Sequence, residues 1–146
     1  MYRAADVARY FLSLSDEEAG DTISNLKLQK LLYYAQGFHL AVFGSPVFND
    51  RIEAWTHGPV VPDSYHAYKA FGAGAISARD DFDPMTIDEA TRVLLDEVHD
   101  VYGQYSAWKL RNMTHAETPW VEAYASSPGT IIDTIALCDY FKTRLN

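Results

Sequence analysis

The stretch that decides the fold is residues 24–43, which read SNLKLQKLLYYAQGFHLAVF. Ser24 or Asn25 can cap the start of a helix here, and Gly44, with Pro46 beyond it, can end that helix. Its apolar stripe at helical spacing comprises Leu28, Leu31, Leu32, Ala35, His39 and Val42. Aromatic residues lie beside this stripe, and a helix that is apolar on so much of its circumference usually occupies the middle of a bundle. We therefore predict a central hydrophobic helix over about 24–43.

Amphipathic helices are predicted on both sides of this segment. Apolar residues from Ala4 to Leu14 recur every three or four positions and indicate a first helix. The expected caps of later helices are Asp63, Thr86 (in a capping box with Glu89), Ser106, Thr118 and Asp133. The last helix is expected to turn Ile135, Cys138 and Phe141 inward. The predicted fold class is mainly α, a compact single domain over 1–146.

The segment from Val47 to Thr56 shows neither clean alternation nor helical spacing, so a short strand or β-hairpin near 47–56 is an alternative to irregular structure. His57, Gly58 and Pro59 predict a turn, because the residue before a proline is disfavoured in the helical region. Residues 72–84 predict a long acidic loop.

The charge balance argues against nucleic-acid binding by this chain alone. Among its 146 residues, 20 acidic and 12 basic side chains give a net charge of −8. A nucleic-acid-binding protein normally carries a basic patch that neutralises phosphates. The acidic residues cluster at 16–18, 80–83 and 88–100. Such clusters are usually solvated surface, and the alternative is attraction to a basic partner, for which the helix over 86–101 is the expected face.

The single cysteine, Cys138, excludes an internal disulfide and is typical of a reducing compartment. Arg3, Asp6 and Arg9 interrupt the N-terminal apolar residues, so the N-terminus does not resemble a signal peptide. No apolar run approaches the ~20 residues that span a bilayer. We expect a cytoplasmic protein without a membrane partner.

No diagnostic catalytic motif is present. His115 and Glu117 match the His-x-Glu of zinc deaminases, but the cysteine pair that this chemistry needs is missing. No histidine has a ligand or base partner at a diagnostic spacing. We therefore expect no enzymatic activity, no cofactor and no metal. Two alternatives remain: a hydrolase or metal-dependent enzyme built on His57, His115 and Glu117, and a DNA-binding autorepressor.

Rigid aromatic residues stand next to the predicted turns. These residues and their neighbours are Trp55, His57, Gly58, Pro59, Tyr65, Tyr68, His115, Pro119 and Trp120. Large rings beside turns are typical of interface hot spots. The alternative is that Trp55 and Trp120 fill the gap between the central helix and its neighbours.

Three ordered blocks of the sequence resemble the signature of the Panacea domain, a family also described as SocA-like antitoxin or GepA-like phage-associated protein. The blocks are LKLQKLLYYAQG (26–37), IEAWTHGPVVP (52–62, with Tyr65) and HAETPW (115–120), and residues 132–141 fit its closing helix. The resemblance covers nearly the whole chain, and the three blocks together are more specific than any one.

The resemblance implies an antitoxin of a type II toxin–antitoxin pair that binds its cognate toxin protein and neutralises it. In one branch the domain is also a proteolytic adaptor that presents the toxin to the protease ClpXP. The family does not fix the toxin, and the oligomeric state stays open. The expected partner-binding residues are Lys30, Tyr34, Trp55, His57, Pro59, Tyr65 and Trp120. The alternative is that these motif positions stabilise the fold without contacting the toxin.

Overall fold

The protein is described by a computed structural model, over residues 1–16, 18–77 and 81–145. Its α-helices in this part of the chain are α1 (Ala4–Ser13), α2 (Asn25–Phe43), α3 (Pro62–Ala67), α4 (Glu89–Tyr102), α5 (Ala107–Thr114), α6 (Thr118–Ser126) and α7 (Thr134–Lys142). One antiparallel pair joins β1 (Glu53–Trp55) to β2 (Gly58–Val60), and short 3-10 helices lie at Lys69–Phe71 and Pro84–Thr86. The prediction of a mainly helical fold is confirmed.

The central helix is α2, as predicted. The Ser24 hydroxyl accepts a hydrogen bond from the Lys27 backbone N–H at 3.3 Å, and Gly44 ends the helix in the left-handed conformation at φ +73°. Helices α1, α4, α5 and α7 and strand β2 all pack against it. The stripe is buried except at Val42, which is 52% exposed. The hydrophobic core therefore forms around α2.

Helix α7 approaches α2 closely at Gly37. A Cβ atom at this position would overlap the Phe141 ring. Phe141 is fully buried and makes edge-on contacts with Tyr33 and Phe38, at ring-centroid distances of 5.4 and 4.9 Å. The missing side chain of Gly37 therefore lets one aromatic residue of α7 lie directly against the central helix.

The hairpin is present, but it lies at 53–60 and not at 47–56. Its register pairs Glu53 with Val60 and Trp55 with Gly58, so the turn is formed by Thr56 and His57. The predicted turn at His57-Gly58-Pro59 was therefore wrong at its last two residues, which belong to β2. On its other edge β1 is held by the segment 129–132, through hydrogen bonds of the Ala54 backbone to Gly129 and Thr130.

Two predicted caps were wrong because the chain turns elsewhere. Thr86 lies in a 3-10 turn and does not cap α4, since the Asp88 carboxylate accepts the Thr91 N–H at 3.1 Å. Helix α3 begins at Pro62, one residue before the predicted cap Asp63. Proline suits the first helical position because its missing N–H would have no partner there.

Two details of the last helices also differ from the prediction. Helix α6 starts at Thr118, so Glu117 and not Thr118 is its capping residue, although the Glu117 carboxylate is bound elsewhere. In α7, Ile135 is 67% exposed, whereas Leu137 and Phe141 face the core and Cys138 is half-buried. The predicted caps Ser106 and Asp133 are confirmed.

In the described ranges, no helix combines the length and the apolarity that crossing a membrane requires. Glu17 and Asp80, which belong to two of the predicted acidic clusters, lie outside the described residues, as does part of the predicted loop over 72–84.

Candidate functional site

Lys30 is a buried cation that binds the hairpin. Its side chain is fully buried, and its Nζ donates a hydrogen bond to the carbonyl oxygen of Pro59 at 3.0 Å. Burial and, to a smaller extent, the positive charge of Arg111 together lower the pKa of Lys30 to about 7. Gly58 is required beside it, because its φ is +106° and a Cβ atom would come within 2.7 Å of the Lys30 Cε.

Other polar side chains of α2 bind backbone groups in the same way. Gln29 accepts the Val61 N–H at 3.0 Å, and Gln36 accepts the Val47 N–H at 2.9 Å. Lys27 donates to the Gly103 carbonyl at 2.6 Å. These side chains satisfy backbone groups that would otherwise be buried without a partner. The polar positions of the first motif block therefore fasten the surrounding segments to the central helix.

Tyr34 is fully buried and holds a carboxylate from the third motif block. Its hydroxyl donates to Glu117 Oε2, and the Tyr33 hydroxyl donates to Glu117 Oε1, both at 2.9 Å. Burial raises the pKa of Glu117, whereas the two tyrosine hydrogen bonds and the charge of Arg144 oppose that rise. The pKa of both tyrosines is raised, by burial and by the Glu117 charge.

Trp120 occupies the gap between α6 and the hairpin. It is 9% exposed, and its indole Nε1 donates to the Trp55 carbonyl oxygen at 2.8 Å. Its ring is stacked between His115 and Tyr124, at centroid distances of 4.1 and 4.7 Å. Of the seven predicted contact residues, Lys30, Tyr34, Pro59 and Trp120 are therefore buried, and in this conformation they stabilise the fold.

The other three, Trp55, His57 and Tyr65, meet at a surface groove of about 490 Å³. We call it the Trp55 groove; its walls also include Leu26, Gln29 and Lys69. Trp55 is half-buried and fixed, because its indole N–H donates to Glu53 at 2.9 Å and its ring packs edge-on against Tyr65 at 5.0 Å. The groove is therefore a concave surface with rigid aromatic residues.

Trp108 extends this surface beyond His57. Its ring is 55% exposed, lies 5.8 Å from the His57 ring and carries the Arg111 guanidinium 4.3 Å above it. Arg111 Nε donates to His57 Nδ1 at 3.0 Å, which fixes both side chains. Trp108 was not among the predicted contact residues, because an exposed tryptophan on a helix with polar neighbours gives no signal of its position in the fold.

His57, His115 and Glu117 are the residues on which the enzymatic alternative would depend. Among the described residues, no hydrogen bond joins any two of these three side chains. Glu117 faces Tyr33 and Tyr34, whereas His115 lies on Trp120 and His57 binds Arg111. Burial lowers the pKa of His115, and the nearby Arg111 charge contributes. Across the described ranges, no group of three or more His, Cys, Asp or Glu side chains could hold a metal ion.

The acidic helix α4 has two kinds of carboxylate. Asp88 and Asp96 accept hydrogen bonds from the hydroxyls of Tyr2 and Tyr10, so they join α4 to the N-terminal segment. Glu89, Glu97 and Asp100 are exposed. Asp88 is exposed as well, so the two kinds of carboxylate differ in their tyrosine contacts rather than in exposure alone.

Comparison with known proteins assigns the class of this chain. The family model described as "Antitoxin SocA-like, Panacea domain" matches residues 28–121, which include Trp55, His57, Tyr65 and Glu117. The chain therefore belongs to the SocA-like antitoxin family, as the sequence resemblance had predicted. No solved structure matches the chain.

A particular relative is Antitoxin SocA of Caulobacter vibrioides (strain NA1000 / CB15N). It is 36% identical over 129 residues, which cover 80% of this chain and 68% of the relative. Membership of an antitoxin family implies that the partner is, in general terms, a toxin.

Proposed function

We propose that this chain is a type II antitoxin that binds its cognate toxin protein directly and neutralises it through the Trp55 groove and the adjoining Trp108. The observation that carries the proposal is the cluster of fixed, solvent-accessible rings at Trp55, Tyr65 and Trp108 beside Arg111. Tryptophan, tyrosine and arginine are the residues most enriched among interface hot spots.

The preorganisation of this surface favours binding. Trp55 and Arg111 each have a hydrogen-bond partner that holds the side chain in place before a partner arrives. Little side-chain entropy would then be lost on association. The buried motif residues Lys30 and Trp120 support the hairpin from behind, so they act on the groove without touching the toxin.

We also propose that the chain acts as one domain and without catalysis. One hydrophobic cluster includes residues from Ala4 in α1 to Phe141 in α7, which supports a single cooperative unit. The surface best suited to a partner contains fixed aromatic rings and no paired nucleophile and base. An enzyme acting at His57 and His115 would be revealed by turnover of a substrate that is lost in His57→Ala.

The direct test expresses the neighbouring gene alone and together with this one. Growth arrest by the neighbour, relieved by co-expression and accompanied by co-purification of the two proteins, is the expected result. A variant that carries both Trp55→Ala and Trp108→Ala should relieve the arrest poorly, because both rings belong to the proposed toxin-binding surface. No arrest, or arrest that co-expression does not relieve, would overturn the proposal.

The resemblance to the family branch that acts as a proteolytic adaptor motivates a second proposal, that the bound toxin is presented to the protease ClpXP. The half-life of the toxin should shorten in cells that contain both this chain and the protease. A half-life that does not depend on the protease would leave neutralisation by direct binding alone. A DNA-binding autorepressor is disfavoured by the charge of −8, and a gel shift of its own promoter by the isolated chain would revive that alternative.

A further inference from the structure

A second concave site lies beside Glu117. This pocket of about 340 Å³, which we call the Glu117 pocket, lies between α5, the start of α6 and the end of α7. Tyr102, Tyr140 and Phe141 supply aromatic walls, and Met113 supplies a flexible apolar one. Its lining does not include any residue of the Trp55 groove.

The carboxylate of this pocket is fixed but has no ion-pair partner among the residues that the structure describes. Each oxygen of Glu117 accepts one tyrosine hydrogen bond, which leaves further acceptor capacity on both oxygens. The three ion pairs within 4 Å among the described residues are Arg3–Asp6, Arg9–Asp81 and Arg51–Glu53, and none involves Glu117. A largely buried carboxylate without a cation is costly to keep ionised, so a cation that enters would be bound favourably.

A guanidinium group already stands at the mouth of the pocket. Arg144 lies with its Cζ 5.0 Å from the centroid of the Tyr140 ring, and its Nε donates to the Tyr140 hydroxyl at 3.1 Å. It is exposed and stops short of an ion pair with Glu117. A planar guanidinium group prefers to lie against the face of an aromatic ring, and Arg144 already makes such a contact with Tyr140.

We propose that the Glu117 pocket binds the guanidinium group of an arginine side chain supplied by the partner protein, with the cation against the Glu117 carboxylate and the side chain between Tyr102 and Tyr140. The partner assignment rests on the proposed function, since a toxin is the protein expected to supply the arginine. The net charge of −8 favours the approach of such a basic residue.

The binding chemistry is testable without any toxin. Nα-acetyl-arginine N-methylamide is titrated into the chain labelled with ¹³C at its methionine methyl groups. Met113 lines the pocket, whereas Met1 and Met85 are 72% and 69% exposed and serve as internal references. A saturable shift of the Met113 signal alone is expected. The citrulline analogue has the same shape without the charge, and it should bind at least about tenfold more weakly.

Variants separate the pocket from general effects. Glu117→Gln should weaken binding of the arginine compound at least about tenfold, whereas Glu122→Gln, at an exposed position of α6, should leave it unchanged. Arg144→Ala should tighten binding, because the resident guanidinium no longer competes. If Glu117→Gln unfolds, Tyr140→Ala removes a wall without touching the carboxylate and should also weaken binding.

Several results would overturn the proposal. They are equal binding of the arginine and citrulline compounds, tighter binding of the lysine analogue, and no Met113 shift in either the wild type or Arg144→Ala. If the pocket binds the arginine compound but Glu117→Gln retains full affinity for the toxin, the partner assignment is wrong while the toxin-binding function stands. A toxin that does not bind even the wild-type chain contradicts the proposed function, whatever the pocket binds.

Discussion

Lys30 and Pro59 are joined by a buried hydrogen bond, in which the lysine Nζ donates to the proline carbonyl oxygen at 3.0 Å. The two residues belong to two different motif blocks, one on the central helix and one on the hairpin that bears Trp55. Lysine is rarely buried unless it has a partner. Here the partner is a neutral carbonyl group, so burial costs stability whenever the lysine is charged.

This pair predicts an unusual dependence of stability on pH. The folded pKa of Lys30 is about 7, against an ordinary value of 10.5, so the unfolded chain binds more protons between these values and stability rises with pH. Relative to Lys30→Met, the wild type should gain on the order of 2 kcal/mol in unfolding free energy from pH 7 to pH 9. Urea denaturation at each pH measures this difference.

The exposed Lys142 supplies the matched control, because Lys142→Met should show no such change with pH. The measurement stays below pH 10, because above that pH the ionisation of tyrosines such as Tyr10 also changes the free energy of unfolding. Burial and the hydrogen bond to Asp96 raise the folded pKa of Tyr10 to about 12, so that pair loses stability from about pH 10 upward. A constant difference between wild type and Lys30→Met from pH 7 to pH 9 would show that Lys30 is not desolvated as the fold requires.

The central helix could be predicted from the sequence, but the roles of its polar residues could not. Its caps and apolar stripe are local signals, and α2 begins and ends within one residue of the prediction. The partners of Lys27 and Lys30 lie 76 and 29 positions away in the chain. Periodicity carries no information about such distant backbone groups, so the sequence predicted Lys30 as a partner-binding residue and did not reveal its bond to the hairpin.

The hairpin and the groove show the same limit at the candidate site. Gly58 and Pro59 are the usual residues of a turn, yet pairing of Trp55 with Gly58 moves the turn to Thr56 and His57. Trp55, His57 and Tyr65 were predicted as contact residues and do meet at one groove. Trp108 reaches that surface only because α5 packs beside the hairpin, which no local pattern reveals.

Gly37 should resist replacement even by alanine. Alanine favours a helix by about 1 kcal/mol over glycine, but its Cβ would overlap the Phe141 ring and displace it. We expect Gly37→Ala to lower the free energy of unfolding by about 1 to 3 kcal/mol. Thermal and urea denaturation of the single and double variants measure the effect.

Phe141→Leu gives the double-mutant cycle for this contact. A smaller side chain leaves room for the new methyl group, so the double variant should lose less stability than the sum of the two single variants. Strict additivity would contradict the close approach of α7 to α2 at this point.

Trp108→Ala should separate toxin binding from folding. The ring is 55% exposed, so its loss should change the free energy of unfolding by less than about 0.5 kcal/mol. Toxin affinity should fall by at least about tenfold if Trp108 belongs to the interface. Calorimetric titration of the purified toxin, with Val93→Ala on α4 as an exposed apolar control, tests this. Equal affinities for Trp108→Ala and wild type would place the interface elsewhere.

The exposed carboxylates of α4 should act on the rate of association more than on the lifetime of the complex. Asp88 and Asp96 accept hydrogen bonds from tyrosines, so the test uses Glu97→Lys together with Asp100→Lys. Each substitution adds two positive charge units, so the net charge changes from −8 to −4. For a basic toxin, the association rate should drop several-fold at low salt, and the difference should shrink as salt screens the charges. Stopped-flow association at several salt concentrations measures it.

A control with the same net charge decides whether this face matters. Glu122→Lys with Asp139→Lys also gives −4 but places the lysines on exposed positions of α6 and α7. If only the overall charge steers the toxin, both double variants slow association equally. If α4 faces the incoming toxin, the α4 variant slows it more, because an exposed charge acts strongly only within about 10 Å at ordinary ionic strength. An association rate that is insensitive to both pairs and to salt would show that the acidic surface serves solubility alone.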